Sequence, residues 1–337
     1  MEALILAKSS DYLLERHGIN DPQNGNKCMP VRCLLVGRQQ GKARGLLYRC
    51  AVHGANAFGC RLPGLGVCMI AVAVFGFGSA RADRNELIET SYEVNVSGIT
   101  VLDVKYSADI AATAYRSHAS LMTRGIATLF SDYRMEIATA GRFIDGTANP
   151  VQLISRREKK GKLKTVELNW TDGVLQLSDR QLAKDPDTQA DMKAALIPGV
   201  TDPLTAILRL ATSQTGAPCQ STRRIFDGKE IFEVRFRLQQ EVLFGDDTPG
   251  AYHGKAYECE MTYVPVAGRY ATKFKSRKEI PPIYTVWLAP IQLDEAGRSL
   301  LVPVRATGEL EGLKFVATTS HATINGRPFK GLNKTEN

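Results

Sequence analysis

The alternation of apolar and charged residues after Ile231 is the feature that most constrains the fold of this chain. The segment "FEVRFRL" occupies residues 232–238, and its apolar and charged side chains take alternate positions. Successive side chains of a β-strand point to opposite faces, so this pattern is typical of a strand with one face in a core. Similar segments begin at Ser91, Thr100, Tyr133, Val151, Ala256, Arg269, Pro282 and Leu313. We therefore predict a mainly β protein.

Two short turn signals indicate how these strands are connected. Lys160-Gly161 lies between two alternating segments, and so does Asp227-Gly228, a dipeptide that tolerates the positive φ of a type I′ turn. Hairpins of this kind join antiparallel neighbours. The sequence thus predicts a meander of long antiparallel strands, including one strand over 269–279.

One segment has the period of a helix instead. "TDPLTAILRLATSQ" offers Thr201 or Asp202 as N-cap and Pro203 in the first turn, where its missing N–H costs little. Its apolar residues Leu204, Ile207, Leu208 and Ala211 share one face. We predict one main amphipathic helix at 202–213, packed on the concave side of a curved antiparallel sheet. A shorter helix at 191–196 is expected to follow an exposed loop at 178–190.

An uncharged apolar run from Leu62 to Ala80 precedes the β-rich part of the chain. It ends at the small-residue triplet Ala80-Arg81-Ala82 and follows scattered basic residues, which is the order of parts in a secretory signal. This pattern predicts a signal peptide at 62–82 with cleavage after Ala82. A retained membrane anchor and a buried core helix are the alternatives.

The signal peptide divides the chain into unequal parts. Residues 1–61 have no sustained periodicity and are interpreted as an upstream mis-start or a disordered leader. Residues 83–337 show no break in composition, so we expect one β-rich periplasmic domain with its core at about 90–325. We expect this mature form not to span a membrane.

The leader and the mature part also differ in net charge. The small net charge of the mature part argues against nucleic acid as a partner. Residues 1–82 carry ten basic and four acidic residues, which leaves 33 basic and 31 acidic residues in the mature part. A nucleic-acid interface needs clustered Lys and Arg on the working surface. The one dense run, "RREKKGKLK" at 156–164, has a glycine at its centre and is interpreted as a solvated hairpin tip.

The cysteines that follow the leader are Cys219 and Cys259. In an oxidising compartment two such cysteines indicate a disulfide. A redox-active pair and metal ligands are alternatives, but the chain has no C-x-x-C spacing here, and the nearby His253 gives no recognisable ligand spacing. We predict a disulfide and no metal site.

No catalytic signature stands out in the mature part. Its histidines, His118, His253 and His321, are far apart in sequence, and the common nucleophile, metalloprotease and phosphate-binding motifs are missing. We therefore predict no catalytic residues and no cofactor. Trp170 and Trp287 are candidates for an apolar ligand groove, with a place in the core as the alternative.

Four short motifs occur in a characteristic order: "DPLTAIL" at 202–208, "APC" ending at Cys219, "FDG" at 226–228 and "CEMTYVPVAG" at 259–268. In this order and spacing the chain resembles the domain of unknown function 3108 family, exported proteins of the Gram-negative bacterial envelope. The resemblance implies a curved or spiral, half-barrel-like sheet. It also marks structural motif residues, namely Asp202, Pro203, Asp227, Gly228, Pro265 and Gly268.

Two hypotheses about function follow. The first is a non-catalytic periplasmic protein that supports cell-envelope integrity by binding a lipid, an acyl chain or an envelope protein on a concave β surface. The second is a periplasmic hydrolase whose site is assembled from residues distant in sequence. A cleft that joins a histidine to an acid and a hydroxyl would favour the second.

Overall fold

The structure is a computed structural model, and the part of the chain that it describes begins after the leader. The described residues are 85–129, 131–159, 161–178, 181–213, 218–245, 251–293, 299–310 and 312–332. The predicted leader and signal peptide therefore lie outside them. Within these ranges, no helix has the length and apolar character needed to cross a bilayer.

The described residues are mostly β-strand, as the alternation predicts. The strands are β1 (Glu86–Val96), β2 (Ile99–Ile110), β3 (Ala114–Thr123), β4 (Tyr133–Ile144), β5 (Thr147–Lys159), β6 (Lys162–Thr171), β7 (Val174–Gln176), β8 (Ser221–Phe226), β9 (Ile231–Phe244), β10 (Gly254–Ala267), β11 (Ile283–Gln292), β12 (Ser299–Leu310), β13 (Leu313–Ile324) and β14 (Arg327–Pro328). The helices are a 3-10 helix (Gly125–Leu129), α1 (Pro186–Ala195), α2 (Pro203–Ala211) and α3 (Arg269–Arg277).

All the strands belong to one antiparallel sheet, in the order β7-β6-β5-β4-β3-β2-β1-β13-β12-β11-β10-β9-β8, with β14 beside β13. The first half of the chain runs outward from β1 to β7. The chain then crosses through α1 and α2 to β8 and runs back inward until β13 pairs with β1. The sheet is therefore open, with β7 and β8 at its two edges.

Helix α2 shows that this sheet is strongly curved. The helix contacts β3, β4 and β5 in one half of the sheet and β8 and β12 in the other. From β5 to β8 there are ten strand-to-strand steps, about 48 Å at roughly 4.8 Å for each step. A helix of nine residues is only about 13 Å long. It touches both halves because the sheet wraps around it, which confirms the predicted curved sheet with a helix on its concave face.

The two open edges approach each other at one place. Thr201, two residues before α2, pairs with the edge strand β8: Thr201 N donates to the carbonyl of Arg224 at 3.0 Å, and Phe226 N donates to the carbonyl of Thr201 at 2.9 Å. The loop after β8 also touches the opposite half, because a Cβ on Gly228 would overlap the side chain of Val166 in β6.

The helices differ from the sequence prediction in two ways. The predicted helix at 202–213 is α2, and its N-cap is Asp202. Helix α1 begins at Pro186 rather than at 191, because Asp185 caps it by accepting from Thr188 N at 2.9 Å; the last part of the predicted loop is therefore helical. The predicted strand at 269–279 is wrong, since these residues form α3 with Ala271 and Phe274 buried.

The hairpin at Asp227-Gly228 is present, but its turn is not the predicted two-residue type I′ turn. Residues 227–230 form a four-residue loop, with Phe226 opposite Ile231. Asp227 Oδ1 accepts from the backbone N–H groups of Lys229 and Glu230 at 2.8 and 2.7 Å, which holds the wider loop closed. Gly228 alone takes the positive φ, at 90°.

Strand β12 was not assigned from the sequence, because five successive residues, 300–304, are all buried. Alternate residues of β12 join different apolar clusters: Leu301 joins the interior cluster beneath α2, while Leu300 and Val302 join a second cluster. The second cluster lies on the other face of the sheet and includes Phe329 of the C-terminal segment. A strand buried on both faces has no apolar–polar alternation to detect.

Candidate functional site

Asp202 lies at the centre of a buried polar network beneath the sheet. Its Oδ1 accepts from Thr205 N at 2.9 Å, and its Oδ2 accepts from the hydroxyls of Thr205 and Thr139 at 2.5 and 3.2 Å. The hydroxyls of Tyr115 and Thr205 are 2.6 Å apart. Because Asp202 is also the N-cap, followed by Pro203 in the first turn, the network fastens α2 to β3 and β4.

The ionisation of this network follows from its burial. Burial raises the pKa of Asp202, although hydrogen bonds from Thr205 and Thr139 oppose the rise. Burial and the nearby Asp202 carboxylate raise the pKa of the Tyr115 hydroxyl. Arg209 of α2 donates from Nε to the carbonyl of Ala148 at 2.6 Å. The side chains satisfy one another and leave no open cleft among them.

The space between α2 and the neighbouring strands β8 and β9 is nearly filled. The cavity between α2 and strands β8 and β9 is about 10 Å³ and is lined mainly by apolar side chains. Sites for drug-sized ligands have volumes of about 300–1,000 Å³. An acyl chain therefore does not fit between α2 and these strands in this structure.

The two cysteines that follow the leader meet as the sequence predicts. Cys219 lies after α2, and Cys259 lies in β10. Both are buried, they lie at disulfide distance, and their Cα atoms are 5.9 Å apart, inside the range that a disulfide requires. The pair ties the segment that leaves α2 to the inner face of the sheet.

The remaining motif residues meet at the end of β10. Glu230, from the loop that Asp227 and Gly228 begin, accepts from Tyr270 N at 3.1 Å with both carboxylate oxygens. Gly268 has a φ of 119° and leaves no room for a Cβ beside the same carboxylate. Pro265 is paired with Phe232 next to a bulge. These residues hold the start of α3 against the loop after β8.

The two tryptophans do not share a groove. Trp170 is buried in the interior cluster. Trp287 packs against the second cluster, where its ring lies 5.9 Å from the Arg305 guanidinium and 6.0 Å from the Phe244 ring. The two rings thus belong to opposite faces of the sheet.

The structure does not bring the three histidines together. His118 is exposed on β3, His321 is exposed on β13, and His253 precedes β10. Within the described ranges, no group of three or more His, Cys, Asp or Glu side chains could hold a metal ion. The cleft that would favour the hydrolase hypothesis is not seen among these residues.

One end of the sheet, which we call the loop end, carries more basic than acidic residues. It is formed by the connections β1–β2, β3–β4, β5–β6, β8–β9, β10–β11 and β12–β13, with flanking strand residues. The corresponding segments are 94–102, 121–135, 156–165, 224–233, 266–284 and 308–315. In sequence they carry sixteen basic and eight acidic residues, whereas the rest of 83–337 carries seventeen basic and 23 acidic residues. Residues 83–337 are nearly neutral as a whole only because the charges of these two regions cancel.

Four of these basic residues lie on the inward face of the β5–β6 hairpin. Arg157 is directly opposite Lys164, and Lys159 is directly opposite Lys162. On the other side of β5, Arg157 and Lys159 pair with Met135 and Tyr133, which are both buried in the interior cluster. Because paired residues of an antiparallel ladder share a face, the four cations line the rim of the concave side.

Two more cations complete this rim from across the opening of the sheet. Lys229 follows Gly228, which touches Val166, and Arg269 is the first residue of α3. We call Arg157, Lys159, Lys162, Lys164, Lys229 and Arg269 the inner rim. Burial lowers the pKa of Lys164, and the charges of Arg157, Lys229 and Arg269 lower it further, while Asp227 opposes them.

Exposed apolar side chains lie beside the inner rim on the neighbouring connections. They are Ile99, Ile126, Leu129 and Leu313, with exposed fractions of 51%, 54%, 80% and 53%, and we call them the apolar patch. Their connections touch: Ser97 N donates to the carbonyl of Lys314 at 3.1 Å, and Arg124 N donates to the carbonyl of Val101 at 3.0 Å.

Sequence reasoning identified the capping residues and the cysteines but not the inner rim. The run at 156–164 was interpreted only as a solvated tip, and the cations of α3 were assigned to a strand. The available signal was the pairing register: a hairpin centred on residues 160 and 161 places Arg157 opposite Lys164 and Lys159 opposite Lys162.

Comparisons with known proteins were made by sequence and by fold, and the fold comparison gives a match to a solved structure. No protein-family model matches the chain, and no curated protein matches it. The fold is similar to a crystal structure of a β-barrel-like protein of domain of unknown function 1849 from Brucella abortus. The two share 11% identity with a TM-score of 0.41, over 71% of this chain and 97% of the other. The resemblance to the domain of unknown function 3108 family remains a prediction.

Proposed function

We propose that this protein is a non-catalytic, exported domain that supports the bacterial cell envelope by binding an anionic lipid surface with its loop end. The observation that carries the proposal is the coincidence of two features at one end of the sheet. The apolar patch and the excess of basic residues are adjacent there, while the rest of the mature part is net acidic.

These two features act together at a membrane surface. Each Lys or Arg near an anionic leaflet contributes about 1 kcal/mol of attraction. Exposed apolar side chains that enter the headgroup region add a second contribution, and stable attachment generally needs both. The side chains of the apolar patch lie on neighbouring connections, and exposed apolar groups at one end of a protein otherwise promote association.

The contact differs from the concave lipid site that the sequence suggested. Helix α2 occupies the concave face and leaves a cavity of only about 10 Å³ beside β8 and β9. The lipid therefore meets the edge of the sheet rather than its interior. Export to the periplasm rests on the apolar run and its Ala80-Arg81-Ala82 triplet.

Vesicle sedimentation of the full chain tests the proposal. We expect stronger binding to phosphatidylglycerol vesicles than to phosphatidylcholine vesicles, with binding that weakens as salt is raised. The double variant Ile126→Ser/Leu129→Ser should bind the anionic vesicles about tenfold less well, because it removes two apolar side chains from the contact.

The matched control is Ile144→Ser/Leu243→Ser, which removes an isoleucine and a leucine that are 57% and 89% exposed at the ends of β4 and β9 opposite the loop end. Every variant keeps residues 1–82, so any contribution of that segment cancels in the comparison. Equal binding by the parent, the control and the loop-end variant would contradict the proposal.

A further inference from the structure

The inner rim contains an arrangement of cations that is unfavourable for an unliganded protein. Two like-charged pairs, Arg157 with Lys164 and Lys159 with Lys162, lie directly opposite each other on adjacent strands. Like charges in this position destabilise a sheet. An anion between or above Arg157 and Lys164 would offset the cost of that pair.

The inner rim draws its cations from three separate elements, namely the β5–β6 hairpin, the loop after β8 and α3. Arg157 is half-buried, and its Nε is buried without a hydrogen-bond partner among the described residues. Lys229 follows Gly228 in the loop that meets Val166, Arg269 begins α3, and the charges of both lower the pKa of Lys164. The approach of Gly228 to Val166 brings the loop after β8 to the β5–β6 hairpin, and Glu230 of that loop holds the start of α3.

Two carboxylates of the loop after β8 accept hydrogen bonds from backbone N–H groups. Asp227 accepts from the N–H groups of Lys229 and Glu230, and Glu230 accepts from the N–H of Tyr270 at the start of α3. Two acidic groups beside six basic ones leave the rim with a net positive charge. A guanidinium with several ammonium groups around it is the combination that proteins use to bind phosphate.

We propose that the inner rim is a binding site for a phosphate group, with Arg157 and Lys164 as its central ligands. The same chemistry is offered by a phosphate-bearing lipid headgroup and by a soluble phosphate. The lipid source rests on the proposed membrane contact and would give it a headgroup site next to the apolar patch; the soluble source is independent of that contact.

Thermal unfolding of the full chain is the first measurement. Inorganic phosphate should raise the Tm more than chloride does at equal ionic strength, since a ligand that binds only the folded state stabilises it. The variant Arg157→Gln/Lys164→Gln should lose this phosphate-specific rise. Its Tm without phosphate should equal or exceed that of the parent, because one like-charged pair has been removed.

The matched control is Arg116→Gln/Arg142→Gln, which removes the same charge from exposed positions on β3 and β4 that lie outside the loop end. It should keep the phosphate-specific rise. If the rim variant does not fold, Lys229→Gln/Arg269→Gln tests the other side of the same rim by the same measurement.

Binding to phosphatidylglycerol vesicles distinguishes the two sources of the phosphate group, a lipid headgroup and a soluble phosphate. A loss of vesicle binding of about tenfold or more in the rim variant, but not in the control, indicates the headgroup. A phosphate-specific Tm rise in a parent that does not bind vesicles supports the rim and contradicts the proposed membrane function. If vesicle binding depends on Ile126 and Leu129 but not on the rim, and phosphate has no specific effect, the membrane function stands and the phosphate site is wrong.

Discussion

Trp170 of β6 and Val200, just before α2, are joined by a hydrogen bond from the indole Nε1 to the carbonyl oxygen, at 3.0 Å. Both residues are buried. The next residue, Thr201, pairs with β8 at the opposite edge of the sheet. This hydrogen bond therefore belongs to a bridge that spans the opening between the first and the second half of the chain.

Replacing Trp170 with Phe should lower the free energy of unfolding by about 1–3 kcal/mol more than the loss of ring size alone. The reason is that the buried carbonyl of Val200 would lose its donor. Urea unfolding measures the effect. Trp287→Phe is the matched control, because that ring is half-buried and no indole hydrogen bond is recorded for it among the described residues. Equal losses in the two variants would show that the bridge contributes nothing measurable.

How far sequence alone predicts this fold depends on how many faces of an element are buried. β9 was identified because only its inward face is apolar near Phe232, whereas β12 was missed because residues 300–304 are buried on both faces. Segment 269–279 was misassigned because Tyr270 and Phe274 are four residues apart, a spacing that fits a strand face and a helix face alike.

The site was less predictable than the fold because it depends on contacts between distant segments. The two cysteines could be paired from their number alone. The inner rim instead requires the hairpin register of β5 and β6 and the approach of Gly228 to Val166 across the open sheet. No local pattern encodes that approach.

The pair Cys219 and Cys259 gives a second prediction. Cys219→Ser should lower the free energy of unfolding by about 2–5 kcal/mol, since the bond closes a loop of some 40 residues. Reduction of the parent with a thiol should cause the same loss, and Cys219→Ser/Cys259→Ser should resemble the single variant. An unchanged stability together with two reactive thiols in the native parent would contradict the bond.

Export gives a third prediction, which concerns residues outside the described part of the chain. N-terminal sequencing of protein recovered from the periplasm of a Gram-negative host should begin at Asp83, because the apolar run ends in the triplet Ala80-Arg81-Ala82. Ala80→Leu/Ala82→Leu should block cleavage at this site. A chain that begins upstream of Leu62 and sediments with the inner membrane would favour a retained anchor.

Asp202 gives a prediction about pH. Its pKa is raised in the folded protein because the carboxyl is buried, so the folded state holds this proton to a higher pH than the unfolded state does. The free energy of unfolding contributed by Asp202 is therefore constant below the unfolded pKa of about 4 and falls as the pH rises through the folded pKa. Asp202→Asn keeps an N-cap acceptor but cannot ionise.

The test compares the two proteins by urea unfolding across a pH series. The stability of Asp202→Asn relative to the parent should increase with pH from about 4 upward. Taking the difference removes the contributions of other groups, such as Glu233, whose pKa is lowered by its hydrogen bonds to Arg224 and Arg235 despite the opposing effect of burial. A difference that does not vary with pH would show that Asp202 titrates alike in both states.

Substitutions of a buried and an exposed leucine test whether α2 contributes to stability and the loop end to lipid binding. Leu208 of α2 is 1% exposed and packs with Tyr115 and Ala148, whereas Leu163 at the β5–β6 tip is 68% exposed. Leu208→Ala should lower the free energy of unfolding by about 2–5 kcal/mol, because it removes buried surface and leaves a cavity. Leu163→Ala should change it by less than about 0.5 kcal/mol. Under the proposed function Leu163→Ala weakens binding to phosphatidylglycerol vesicles, while the folded Leu208→Ala protein binds as the parent does. The reverse assignment, with Leu208 affecting binding and Leu163 affecting stability, would mean that lipid meets the concave face after all.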